Sequence, residues 1–177
     1  VANHHATLLI LGSMPGIRSL EAQQYYAHPH NVFWRIMGEL TGAHPALPYA
    51  QRLQALKQAH IALWDVLHSC EREGSLDSDI HAEAANDFAE FFKQHPHITR
   101  VCFNGTKAEQ SFRRYVAGRQ ALPELHYTRL PSTSPALRDS LAQHAGFCER
   151  LMRQIKTLEA QEKELTAKTA ARPSRRT

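Results

Sequence analysis

The chain has 177 residues, 42% hydrophobic and 8% aromatic, enough for one well-buried core and too few for two, so a single domain is expected. No window approaches the roughly 20 consecutive apolar residues of a membrane span, and the opening VANHHATLLIL lacks the charged region and cleavage site of a signal peptide, so a soluble cytoplasmic protein is expected. The formal charge of +4 leans toward a polyanionic partner, while Cys70, Cys102 and Cys148 form no CxxC pair and predict neither a disulfide framework nor a cysteine-ligated cluster.

In chain order, TLLILG at 7–12 predicts a first strand, followed at once by the turn GSMPG. Gly12 and Gly16 permit close backbone approaches, Pro15 fixes its own dihedral, and the amides left over at Ser13 and Met14 can face a ligand. Neither GxxxxGK[ST] nor GxGxxG occurs, so nucleoside triphosphates and dinucleotide cofactors are not expected. Next comes QQYYAHPHNVFW, where Tyr25, Tyr26, Phe33 and Trp34 bracket His28, Pro29 and Asn31. Planar rings beside a neutral amide suit stacking on a base and orienting a polar group next to it. The plainer reading is that Phe33 and Trp34 simply begin a core helix.

Helical patterns follow at 32–42 and 48–59, then a second strand, IALWDVL, at 61–67. A helix over 85–94, a strand RVCFNG at 100–105, a helix over 106–117 and a fourth strand, LHYTRLPS, at 125–132 complete the alternation. A long helix over 139–162 has Leu141, Ala145, Cys148, Met152, Ile155 and Leu158 on one apolar face, and residues 163–177 read as a basic, flexible C-terminal tail. Strand alternating with helix predicts an α/β/α sandwich with a small four-stranded, mostly parallel sheet. Ligands in such sheets bind at the carboxyl ends of the strands. Those ends carry GSMPG, HSCEREGSLDSD, FNGTK and PSTSPA, which predicts one concave polar site. Ser132, Thr133 and Ser134 are suited to holding phosphates, and Lys107, at a helix start, to adding a cation. On the plainer reading Lys107 is a surface lysine, Asp65 a strand-end cap and Asn104 a turn residue. Histidine pairs at 4–5, 28–30 and 95–97 are adjacent or splayed by proline and match no HExxH, so neither metal nor cofactor is expected.

The order of LGSMPG…SLEAQQYYAHPHNVFW, LWDVLHSCEREGSLDSDI, NDF, VCFNGTKA and LPSTSP resembles the hypoxanthine-DNA glycosylases, or DNA-deoxyinosine glycosylases, a branch of the uracil-DNA glycosylase superfamily, over about residues 6–157. The resemblance implies a domain over 1–162 with a small parallel sheet flanked by helices, acting on DNA that contains a deaminated base, chiefly hypoxanthine. It implies base flipping and a monofunctional cleavage that leaves an abasic site. Met14 stands where the mismatch-specific uracil branch has an asparagine, and the resemblance implies that Asn31 takes over as the catalytic residue. Tyr26 then stacks on the base, while Gly12 to Gly16, Asp65, Ser69 and Asn104 shape the pocket or read the base edges. Leu137 stands where the resemblance leads one to expect an asparagine. The expected protein is a monomer without an obligate protein partner. The rival readings are excision of mismatched uracil or thymine on the same scaffold, and a DNA-binding relative without catalysis.

Overall fold

The structure, a computed structural model, describes residues 1–71, 81–136 and 140–171. In chain order its elements are β1 (Leu8–Gly12), α1 (Ile17–Ala22), α2 (Phe33–Thr41), α3 (Tyr49–Gln58), β2 (Ile61–Asp65), β3 (Leu67–Glu71), β4 (His81–Ala85), α4 (Phe88–Gln94), β5 (Arg100–Asn104), α5 (Thr106–Tyr115), β6 (His126–Leu130) and α6 (Ser140–Ala170). No described helix is long and apolar enough to cross a membrane.

Strand β1 is apolar on both faces because it is covered on both. Leu9 and Leu11 join Val101, Phe103, Phe88 and Phe112 under α4 and α5. Leu8 and Ile10 point the other way, into Phe33, Ile36, Met37, Leu56, Phe147 and Leu151 beneath α2, α3 and α6. This alternation, with period 2 and no polar face, is the signature of a central parallel strand. The sheet runs β2-β1-β5-β6 and every pairing in it is parallel, giving the expected three-layer α/β/α sandwich. Cys102 lies in this core, where burial pushes its thiol up to about 12.

Two local expectations differ from the structure. The run read as one strand over 61–67 breaks at Val66, and β3 leaves to pair antiparallel with β4 in a separate two-stranded sheet. The apolar stripe of α6 holds at Cys148, Ile155 and Leu158, which pack against the core, but not at its start. Leu141 is 79% exposed, whereas Phe147 and Leu151 are fully buried. Phe147 and Leu151 lie one position beside Cys148 and Met152 on the same side of the helix, and these bulkier side chains are the most deeply buried. The same helix continues through 163–170, within the segment read as a tail, and residues 172–177 lie outside the described ones.

Candidate functional site

The carboxyl ends of the parallel strands open onto a cleft of about 1200 Å³. Its floor is the GSMPG turn. In the β1–β2 register Gly12 faces Asp65, and the turn is pinned by Val66 N–H donating to the Gly12 carbonyl (2.9 Å) and Leu67 N–H to that of Ser13 (3.0 Å). A Cβ on Gly12 would lie 2.6 Å from Asp65 Oδ1 and 3.3 Å from the Tyr26 hydroxyl, so glycine alone lets both polar groups reach the strand end. Asp65 is only 7% exposed yet borders the cleft, and Asn86 Nδ2 donates to its carbonyl at 2.8 Å.

One wall is the segment carrying Asn31. It is held from several sides: Ser19 Oγ accepts from Ala27 N–H (3.1 Å), Trp34 Nε1–H donates to the Tyr25 carbonyl (2.7 Å), and Tyr25 N–H donates to the Tyr49 hydroxyl (3.0 Å). Burial, helped by the charge of Asp65, raises the Tyr25 phenol above its usual range and keeps it protonated. Asn31 Oδ1 accepts from Phe33 N–H at 3.0 Å, in the first turn of α2. A backbone donor requires the oxygen at that position, so the geometry fixes the amide orientation. The Nδ2 group has no partner among the described residues, and Asn31 lines the cleft. Tyr26 sits beside it with φ at +53°, a left-handed conformation that is costly for a bulky residue, and its ring stacks on Phe33 with centroids 4.0 Å apart.

The opposite wall is built by Asn104 and the PSTSP loop. Asn104 Nδ2 donates to Thr133 Oγ1 (2.9 Å) and Asn104 Oδ1 accepts from Thr133 N–H (3.0 Å). Thr133 is 2% exposed, and its carbonyl accepts from Val32 N–H at 3.3 Å, tying the two walls together. Gly105 has φ at +95°, and a Cβ there would lie 2.9 Å from that of Ser132. Ser132 Oγ accepts from Ser134 N–H, and Ser134 Oγ from Ala136 N–H, which keeps the loop tightly turned.

Every expected site residue borders this cleft except Ser69, which lies in β3 with its side chain outside the described ones. Leu137 is likewise outside the described residues. Lys107 lines the cleft but is hydrogen-bonded and ion-paired to Glu83 of β4, so its charge is already matched. Burial works to raise the Glu83 carboxyl, but hydrogen bonds from Lys107 and Tyr115 and the Lys107 charge outweigh it and hold the group below its usual range. Cations that the motifs did not reveal are Arg18, Arg129 and Arg150. Arg18 is exposed, Arg129 pairs with Glu109 at 3.4 Å, and Arg150 donates to the Arg129 carbonyl. Arg18 lies two residues after Gly16 of GSMPG and is legible by that proximity, whereas Arg129 and Arg150 meet only through the packing of α6 on β6. No metal-ligating cluster lies in the cleft among the described residues. Chemically, the cleft offers a fixed amide donor, a stacking ring, a nearly buried carboxylate and a cationic rim.

The model of the Uracil DNA glycosylase superfamily matches residues 1–156. A hypoxanthine DNA glycosylase of Methanosarcina acetivorans is 42% identical over 109 residues, 61% of this chain and 69% of the relative. One of Methanosarcina barkeri is 41% identical with the same coverage of 61% and 69%. The solution structure of a candidate uracil DNA glycosylase from Methanosarcina acetivorans superposes with a TM-score of 0.69 at 35% identity, covering 88% of this chain and 94% of its own. With a family match spanning residues 1–156 and a sheet and cleft of this arrangement, the chain belongs to the Uracil DNA glycosylase superfamily.

Proposed function

We propose that the protein is a monofunctional DNA glycosylase that hydrolyses the N-glycosidic bond of deoxyinosine and releases hypoxanthine, as the names of its relatives suggest. The observation that carries the mechanism is the orientation of Asn31, whose oxygen is engaged by Phe33 N–H so that its Nδ2 donor is left for the cleft. Departure of a purine leaves negative charge on the base and positive charge on the sugar. A donor fixed before the reaction lowers that barrier without reorganising during it.

In this reading the nucleotide leaves the stack, its base lies against the Tyr26 ring, and Asn31 Nδ2 donates to the departing base. Asp65 accepts the N1–H that hypoxanthine has and adenine lacks, which disfavours the normal base. Phosphates are held by the half-buried Ser132 and Ser134 of the loop and by the arginine rim, with the exposed Arg18 foremost. Asn104 and Thr133 act as positioning residues, since their polar groups hold one another. Among the described residues Lys107 is the lysine that lines the cleft, and its amine is engaged by Glu83, which supports a hydrolytic rather than a lyase reaction.

The test is alkali-developed cleavage of duplexes bearing a single deoxyinosine, uracil or mismatched thymine, with and without borohydride. Cleavage at deoxyinosine, dependent on alkali and giving no trapped adduct, is expected. Cleavage confined to uracil overturns the substrate, and a covalent adduct overturns the monofunctional chemistry.

A further inference from the structure

Helices α2 and α6 pack together outside the cleft, and their contact carries three side chains able to ligate a metal. Glu39 comes from α2, and His144 and Cys148 from α6. His144 Nε2 and Glu39 Oε2 are 2.9 Å apart. One ligand atom from each of the three residues, Cys148 Sγ included, lies within 4.8 Å of the other two. The helical spacing explains why: residues four apart lie above one another on the same face, so the imidazole and thiol converge, and Glu39 completes the set from the facing helix.

We propose that Glu39, His144 and Cys148 form a binding site for a borderline-soft divalent transition-metal ion of the Zn²⁺ type. A tetrahedral ion with bonds of about 2.0 Å to nitrogen and oxygen and about 2.3 Å to sulfur spaces its ligand atoms roughly 3.3–3.5 Å apart. Side-chain rotations that open the 2.9 Å Glu39–His144 pair slightly and draw the thiol in from within 4.8 Å would bring the cluster to that spacing. Mg²⁺ and Ca²⁺ prefer sets made of oxygen alone, so the thiol and imidazole select against them. Three protein ligands leave a fourth position for water. His144 and Cys148 are four residues apart, but Glu39 is 105 residues before His144 and joins them only through the packing of α2 on α6, which the sequence expectation of no metal does not foresee.

The site also has a structural consequence. The first turn of α2 holds Asn31 through Phe33 N–H, and Phe147 of α6 packs edge-on against Phe33 with centroids 6.3 Å apart. An ion bridging α2 and α6 therefore braces the wall that carries Asn31.

The full chain, freed of metal by a chelator, is titrated with Co²⁺ and then Zn²⁺. The expected result is one equivalent of Co²⁺ giving a near-ultraviolet thiolate charge-transfer band, displaced by Zn²⁺, with Tm raised by roughly 5–10 °C at Zn²⁺ about 100-fold above Kd. Cys148→Ser and His144→Ala abolish the band and the Tm rise. Glu39→Gln, on the exposed side, weakens the affinity at least about 10-fold while leaving the metal-free Tm unchanged. Absence of a saturable band, which leaves Glu39 and His144 a hydrogen-bonded pair only, overturns the proposal. So does a band that survives Cys148→Ser, or an affinity unaltered in Glu39→Gln.

Discussion

Replacing Asn104 by alanine separates a residue that positions the site from one that reads the base. The substitution removes the donor to Thr133 Oγ1 and the acceptor of Thr133 N–H, at a threonine that is 2% exposed. A buried polar group left unsatisfied costs about 1–3 kcal/mol. Two such groups, partly relieved by water entering from the cleft, put the loss at roughly 2–4 kcal/mol. For a chain of this length that lowers Tm by about 5–15 °C. The assay is urea or thermal unfolding of Asn104→Ala, Thr133→Val and the double variant. A coupling energy of about 1 kcal/mol or more between the two positions is expected, as for groups in one hydrogen-bond network. A positioning role also predicts that excision of deoxyinosine and of poorer substrates falls together. Additive unfolding energies, or an unchanged Tm with a loss confined to deoxyinosine, refute the reasoning.

Other outcomes follow from individual contacts. Gly12→Ala forces a Cβ to within 2.6 Å of Asp65 Oδ1, so a loss of about 1–3 kcal/mol in unfolding and a strong loss of excision are expected. Arg18→Gln reduces the slope of log affinity against log salt by about 0.9 in DNA-binding titrations, whereas Lys107→Gln leaves the slope nearly unchanged because Glu83 already neutralises that lysine. Glu83 has a lowered folded pKa, so its contribution is present above the unfolded value of about 4.5 and is lost as pH falls through the folded value. The Tm gap between the wild type and Glu83→Gln is therefore widest near neutral pH and closes in acid.

The sheet was legible because β1, β2 and β5 are apolar on both faces and each ends in small or turn-forming residues, a pattern that marks a parallel sheet and its ligand edge. The hairpin of β3 and β4 was not. Its residues, LHSCE and HAEAA, have no repeating apolar face, and its place is set by Leu67 N–H bonding to Ser13 and by Glu83 reaching Lys107. The members of the cleft were legible from their positions at strand ends, but their bonding was not. Asn31 and Asn104 look alike in sequence, each a polar residue in a turn. Only the fold reveals that Asn31 keeps its donor while both ends of Asn104 are engaged by Thr133.

The most direct test of the central claim is the single-turnover rate of deoxyinosine excision by Asn31→Asp. An aspartate keeps the oxygen that accepts from Phe33 N–H, and its charge is favourable at the start of α2, so the fold and Tm are preserved. It removes the donor and sets a negative charge against the departing base. A fall of about 10²–10³-fold with unchanged Tm is predicted. A rate near that of the wild type contradicts the account, because it means that the side chain acts through its oxygen.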